Sequence, residues 1–147
     1  MGNNMYRRLY EAENTIRVVI NSVLLAEIGP DWWTIAVSDN IRDQAERFLQ
    51  RYRARPWHTT QGNHGIYYVF LVDLADIMRA NSDFLRRSIP DVDQWVGRIL
   101  TVNLPRNVVG HMNFLNASDR DRLVLFHDDV AHLPALLTAA AVPLVIP

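Results

Sequence analysis

A permanent cation, an amide and an imidazole fall within six residues in the run Leu104-Pro105-Arg106-Asn107-Val108-Val109-Gly110-His111. Arg106 offers a planar fork of donors that matches the oxygens of a phosphate. His111 can take or give a proton near neutral pH, and Asn107 can orient the imidazole or donate to a substrate. Cutting RNA without a metal needs these functions: a base for the ribose 2′-hydroxyl, positive charge for the developing phosphorane, and an acid for the leaving oxygen. On a straight helix Arg106 and His111 point about 140° apart, whereas Asn107 and His111, one turn apart, share a face. Convergence of all three therefore demands a broken turn at Pro105 and Gly110, or a second copy of the run from another subunit. A surface arginine followed by a core-edge histidine is the plainer reading of the same spacing.

Other residues invite similar questions. Arg47, Arg51 and Arg55 recur every fourth position and form a basic stripe able to track an RNA backbone, although a solvated helix face accounts for it equally well. Glu13 and Arg17, also four apart, read as an intrahelical ion pair. His58 and His64, taken with His111, match no common zinc spacing, so no metal site and no cofactor is expected. His127 and His132, with Asp128 and Asp129 between them, read as a polar helix face. Trp32, Trp33 and Trp95 read as core anchors, with base stacking on Trp33 or Trp57 the functional alternative.

The chain that must position these groups has 147 residues, 49% of them apolar and 21% charged, which suits one globular domain with its own core. Lacking cysteine, it has no disulfide, no thiol nucleophile and no cysteine zinc site, and a cytoplasmic location fits that composition. No apolar run is long enough to span a bilayer, the N-terminus has no signal-peptide character, and Tyr6 stands where a myristoylation motif needs serine or threonine. No membrane association is expected. The net charge of −1 lacks the strongly basic balance usual in a non-specific phosphate binder, so any RNA contact must be local. All 15 basic residues are arginine, the side chain suited to bidentate phosphate contacts.

Apolar spacing of three and four, including Tyr6, Leu9, Ile16, Val19, Ile20, Val23 and Leu24, predicts a helix over 3–28, stopped by Gly29-Pro30. A short aromatic connection follows, and then a helix capped by Ser38 that runs to about Arg55 before Pro56. Residues 57–65 read as a loop, 66–81 as one helix and 82–88 as a shorter one. Beyond Pro90, Val92, Trp95, Val96, Ile99 and Leu100 line a helix that leads into the opening run, with a kink or restart expected at Pro105. Ser118 or Asp119 caps a last helix through Leu123, Leu125, Phe126 and Val130 to Leu137, bent or split by Pro134. The reading is an all-α bundle of about five helices over 1–138, followed by an apolar tail over 139–147 that packs on the body or reaches a partner.

Arg106-Asn107-Val108-Val109-Gly110-His111 resembles the RNxxxH motif of the HEPN family. The resemblance takes in Glu13-Asn14-Thr15-Ile16-Arg17 on the first helix, the Gly29-Pro30-Asp31-Trp32-Trp33 turn, and the apolar helix before the motif. These features look like the branch of small HEPN modules related to RNA-surveillance endoribonucleases. The resemblance implies a helical homodimer in which the motifs of two subunits face each other. It implies Arg106, Asn107 and His111 as catalytic residues, Glu13 and Arg17 as their support, and metal-independent RNA cleavage leaving a 2′,3′-cyclic phosphate. Toxin–antitoxin, phage-defence and RNA-processing systems are the settings it suggests, with an antitoxin or a nucleotidyltransferase as partner. The alternative is a catalytically inactive HEPN-like module for dimerisation or partner binding.

Overall fold

Met5, Leu9, Ala12, Ile16, Val19 and Val23, alternately four and three apart, all lie buried and draw one long helix into the middle of the molecule. The computed structural model describes residues 2–57, 62–110 and 115–147. This helix, α1, spans Gly2–Glu27 and ends where Gly29 adopts a φ of +115°. The N–H groups of Ile28 and Gly29 both turn back to the Leu24 carbonyl, a close that a left-handed glycine permits.

The aromatic connection is itself helical: α2, Trp32–Ala36, precedes α3, Asp39–Arg53, with Ser38 at its N-cap. Gly65–Tyr68 forms a 3-10 turn, followed by α4, Leu71–Ala80, and α5, Ser82–Leu85. The single helix expected over 66–81 is thus broken, and the break has a specific cause. In a continuous helix the Ile66 carbonyl would accept from the Phe70 N–H. Here Arg17 Nε donates to that carbonyl at 3.0 Å, and the Phe70 N–H donates to Asp73 Oδ2 at 2.9 Å. Side chains have taken both ends of the missing backbone bond.

Helix α6, Val92–Gly110, runs through Pro105, so of the kink or restart expected there the restart is absent. Helix α7, Ala117–Val130, is capped by Asn116, whose side chain accepts from the Asp119 N–H, rather than by Ser118 or Asp119. As expected of Pro134, the last helix is split, and α8 covers Leu133–Ala139 with that proline in its first turn. Among the described residues there are eight α-helices, more than the five or so read from the sequence, and five of them have ten residues or more; the all-helical bundle itself is as expected. Helix α1 packs against α4, α6, α7 and α8, while α4 also packs on α6, and α3 on the 3-10 turn.

Residues 142–147 leave the last helix as an extended tail that is tied to α1. Asn21 Nδ2 donates to the Val145 carbonyl at 2.9 Å, the Val145 N–H donates to Ser22 Oγ at 2.8 Å, and the Tyr67 hydroxyl donates to the Pro147 carbonyl at 3.0 Å. Asn21 Oδ1 also accepts from the Trp32 indole at 3.0 Å, so one buried amide joins α1, α2 and the tail. Not every apolar position of the pattern points inward: Tyr6, Leu100 and Leu125 are exposed. No helix among the described residues is long and apolar enough to cross a membrane.

Candidate active site

A second stripe of α1, beside the apolar one, carries Tyr6, Tyr10, Glu13, Asn14 and Arg17, and it forms one wall of a cleft of about 520 Å³. At the floor, Glu13 Oε1 accepts from Arg106 Nε at 2.9 Å, bridging α1 and α6 across 93 residues of sequence. Its other oxygen lies 3.7 Å from Arg17 Nη2. Glu13 and Arg17 are buried, and the Arg106 side chain is 28% exposed toward the cleft. Two guanidiniums around one carboxylate leave an excess of one positive charge at the cleft, an environment that favours an anion.

Arg17 is held from every side. Besides Ile66, Nη2 donates to the Val69 carbonyl at 3.1 Å and Nη1 to Asn14 Oδ1 at 3.1 Å. Burial pulls its guanidinium below the ordinary arginine value, Glu13 opposes that pull, and the like charge of Arg106 adds to it. The carbonyls it needs project from the 3-10 turn and from Val69 at its end, and the turn is built on His64. His64 Nδ1 accepts from the Ile66 N–H at 3.1 Å, a bond that only the imidazole unprotonated at Nδ1 can make. The ring stacks on Trp32 with centroids 5.2 Å apart and meets Trp33 edge-on at 5.4 Å. Burial holds its pKa below the usual histidine range. Gly65 is required by the same packing, because a Cβ there would stand 2.5 Å from the Trp33 ring.

The cleft's remaining walls are aromatic. Phe48 and Tyr52, one turn apart on α3, face Tyr67, Tyr68 and Phe70 from the 3-10 turn and its exit. Phe48 meets Phe70 edge-on at 5.6 Å, and the Arg51 guanidinium lies 5.1 Å from the Phe48 ring centre. Of the basic stripe, Arg51 is the member that touches a cleft-lining ring, although it does not itself line the cleft. Arg47 is exposed on α3, and Arg55 is exposed beyond the helix end.

Glu13, Arg17 and Arg106, separate in sequence, come together, whereas Asn107 is exposed and does not line the cleft. His111 lies outside the described residues, as does His58. His64 is a structural cap between tryptophans, and His127 Nε2 lies 2.7 Å from Glu11 on α1. Trp32 and Trp95 are buried, as expected of core anchors, Trp33 is half-buried, and Trp57 is exposed. Among the described residues no three potential metal ligands converge. The sequence reading missed the cleft's tyrosines and phenylalanines. Tyr6, Tyr10, Glu13 and Arg17 recur at helical spacing in the sequence, so their shared face was readable there, although the pattern alone assigns Tyr6 to the core. Compared with models of protein families, with curated proteins and with solved structures, the chain matches none.

Proposed function

We propose that this protein is a metal-independent endoribonuclease of the HEPN type, acting as a homodimer with the cleft around Arg106 as the phosphate-binding part of each site. The supporting observation is the ion cluster: Arg106 of the RNxxxH run and the Glu13–Arg17 pair of α1 meet at a cleft floor that is one charge positive. Arg106 reaches Glu13 through Nε, which keeps the guanidinium plane fixed, and its two terminal nitrogens are the atoms suited to phosphate oxygens.

In the proposed reaction the ribose 2′-oxygen attacks the adjacent phosphorus while His111 removes its proton. Arg106, backed by Arg17, stabilises the pentacoordinate phosphorane. The bond from phosphorus to the 5′-oxygen then breaks, and His111 of the partner subunit protonates that oxygen. The products are a 2′,3′-cyclic phosphate and a 5′-hydroxyl. Asn107 supports both Arg106 and His111.

Single-stranded RNA incubated with the purified protein in EDTA is expected to yield fragments ending in cyclic phosphate. Arg106→Ala and His111→Ala should each lower the rate by about 100-fold or more with the helical circular dichroism intact. Arg106→Ala suits this test because Glu13 keeps Arg17 as its partner. Full activity in both variants, or a strict need for a divalent cation, overturns the assignment. A second reading, a catalytically silent dimerisation or partner-binding module, draws on Leu104, which is 72% exposed two residues before Arg106. Stable association with no cleavage under any of these conditions favours that reading.

A further inference from the structure

The ion cluster accounts for the floor of the cleft but not for its walls. Tyr6, Tyr10 and Phe70 line it and yet remain 57%, 62% and 43% exposed. Aromatic rings of this size ordinarily bury most of their area, and three at one mouth form an apolar surface facing solvent. Tyr6 and Tyr10 lie one turn apart, on the face of α1 that carries Glu13 and Arg17. With a rise of about 1.5 Å per residue, Tyr10 stands roughly 4.5 Å along the helix axis from Glu13, and Tyr6 about 6 Å farther out. One face of α1 thus runs from exposed rings to the buried Glu13–Arg17 pair, where the part-exposed Arg106 of α6 adds one positive charge within the reach of a single nucleotide. The cleft volume of about 520 Å³ falls in the range of small-ligand sites.

We infer that the cleft holds one unpaired nucleotide of an RNA strand, its phosphate toward Arg106 and Arg17 and its base stacked against Tyr6, Tyr10 and Phe70. This inference rests on the nuclease reading and names its substrate class. Both halves of the ligand find their chemistry here: the anion meets the two-arginine floor, and the flat π-face meets aromatic walls. Because the walls read a face rather than a base edge, the site is tolerant of sequence. It discriminates against duplex, where both faces of each base are already covered by its neighbours in the stack. The exposed Arg51 guanidinium lies 5.1 Å from the ring centre of Phe48, which itself meets Phe70, and in this proposal it gives the next phosphate a contact.

The test is fluorescence anisotropy of the full-length protein with a labelled single-stranded RNA twelve residues or so long, fully 2′-O-methylated so that it cannot be cut. The same sequence annealed to its complement serves as the duplex. Wild-type protein is expected to bind the single strand at least about tenfold more tightly than the duplex. Tyr6→Ala/Tyr10→Ala should weaken single-strand binding by roughly tenfold or more, and Tyr6→Phe/Tyr10→Phe should regain most of it. Both tyrosines are exposed, so neither change is expected to disturb the core. Equal affinity for duplex, no binding by the wild type, or an alanine variant within twofold of wild type overturns the inference. A change in the alanine variant's sedimenting mass also overturns it, by showing the tyrosines to be a protein interface. The two proposals fail separately: EDTA-resistant cleavage with tyrosine-independent binding removes the stacking site alone, and tyrosine-dependent binding without cleavage removes the nuclease alone.

Discussion

Two carboxylates on α1, two residues apart, are wired alike and live differently. Glu11 takes Arg7 from one turn earlier at 2.9 Å and His127 from α7 at 2.7 Å. Glu13 takes Arg17 from one turn later and Arg106 from α6. Each therefore couples an intrahelical arginine to a basic side chain from a distant helix. Yet the Glu11 side chain is 43% exposed and that of Arg7 79%, against 9% and 8% for Glu13 and Arg17. The exposed group trades one hydrated state for another and gains little, whereas the buried one must be paired completely or it opposes folding. An apolar cluster could seal the same space with less electrostatic cost, but it would leave the Ile66 and Val69 carbonyls without the donors that Arg17 gives them.

The largest expected break in this comparison is Glu13→Ala, which leaves two guanidiniums facing each other with no counter-charge. Urea unfolding should show a loss of about 3–5 kcal/mol. A loss under about 1 kcal/mol means that the cluster is no more demanding than its exposed counterpart.

A smaller effect should follow from acid, through the turn that receives Arg17. His64 is held neutral with its pKa lowered, so below its unfolded value of about 6.5 the unfolded chain takes up a proton that the folded one refuses. Its contribution to stability is complete above that pH and declines as the pH falls toward the lowered folded value. Urea midpoints measured between pH 7.5 and 5 should decline in the wild type and decline less in His64→Gln. Parallel curves for the two proteins exclude His64 as the source.

The smallest effect belongs to Glu11→Ala. The Glu11 carboxyl is held below its ordinary value by the hydrogen bond from Arg7 first and by that from His127 second, so its contribution exists above about pH 4.5 and fades as the carboxylate is protonated. At neutral pH and 0.15 M salt the urea midpoint should match wild type within error, and any difference should vanish at 1 M salt. A large salt-resistant loss erases the distinction between the two sites.

Much of the fold was legible because helices are local. Gly29-Pro30 stopped α1 where expected, and Pro134 split the last helix. The break after Tyr68 was not legible, since it depends on a guanidinium from 49 residues away reaching the Ile66 carbonyl. Asn116 preceded Ser118 and Asp119 as the cap because its side chain reached the Asp119 N–H, a choice among neighbours that spacing alone does not make. Of the site, Arg106, Glu13 and Arg17 could be named from residue types and a resemblance, but their meeting could not.

The sequence by itself determined the all-helical class, the amphipathic stripe of α1 and the residue types suited to phosphate, because each depends on neighbours within about one turn. Only the tertiary structure decided that Glu13 turns inward to join two arginines, and that rings from α1, α3 and the 3-10 turn close into one cleft. Those contacts link residues tens of positions apart, and no local periodicity encodes which buried charge finds which partner. They form when the apolar faces pack and leave the polar stripe of α1 facing the carbonyls, charges and rings that can satisfy it.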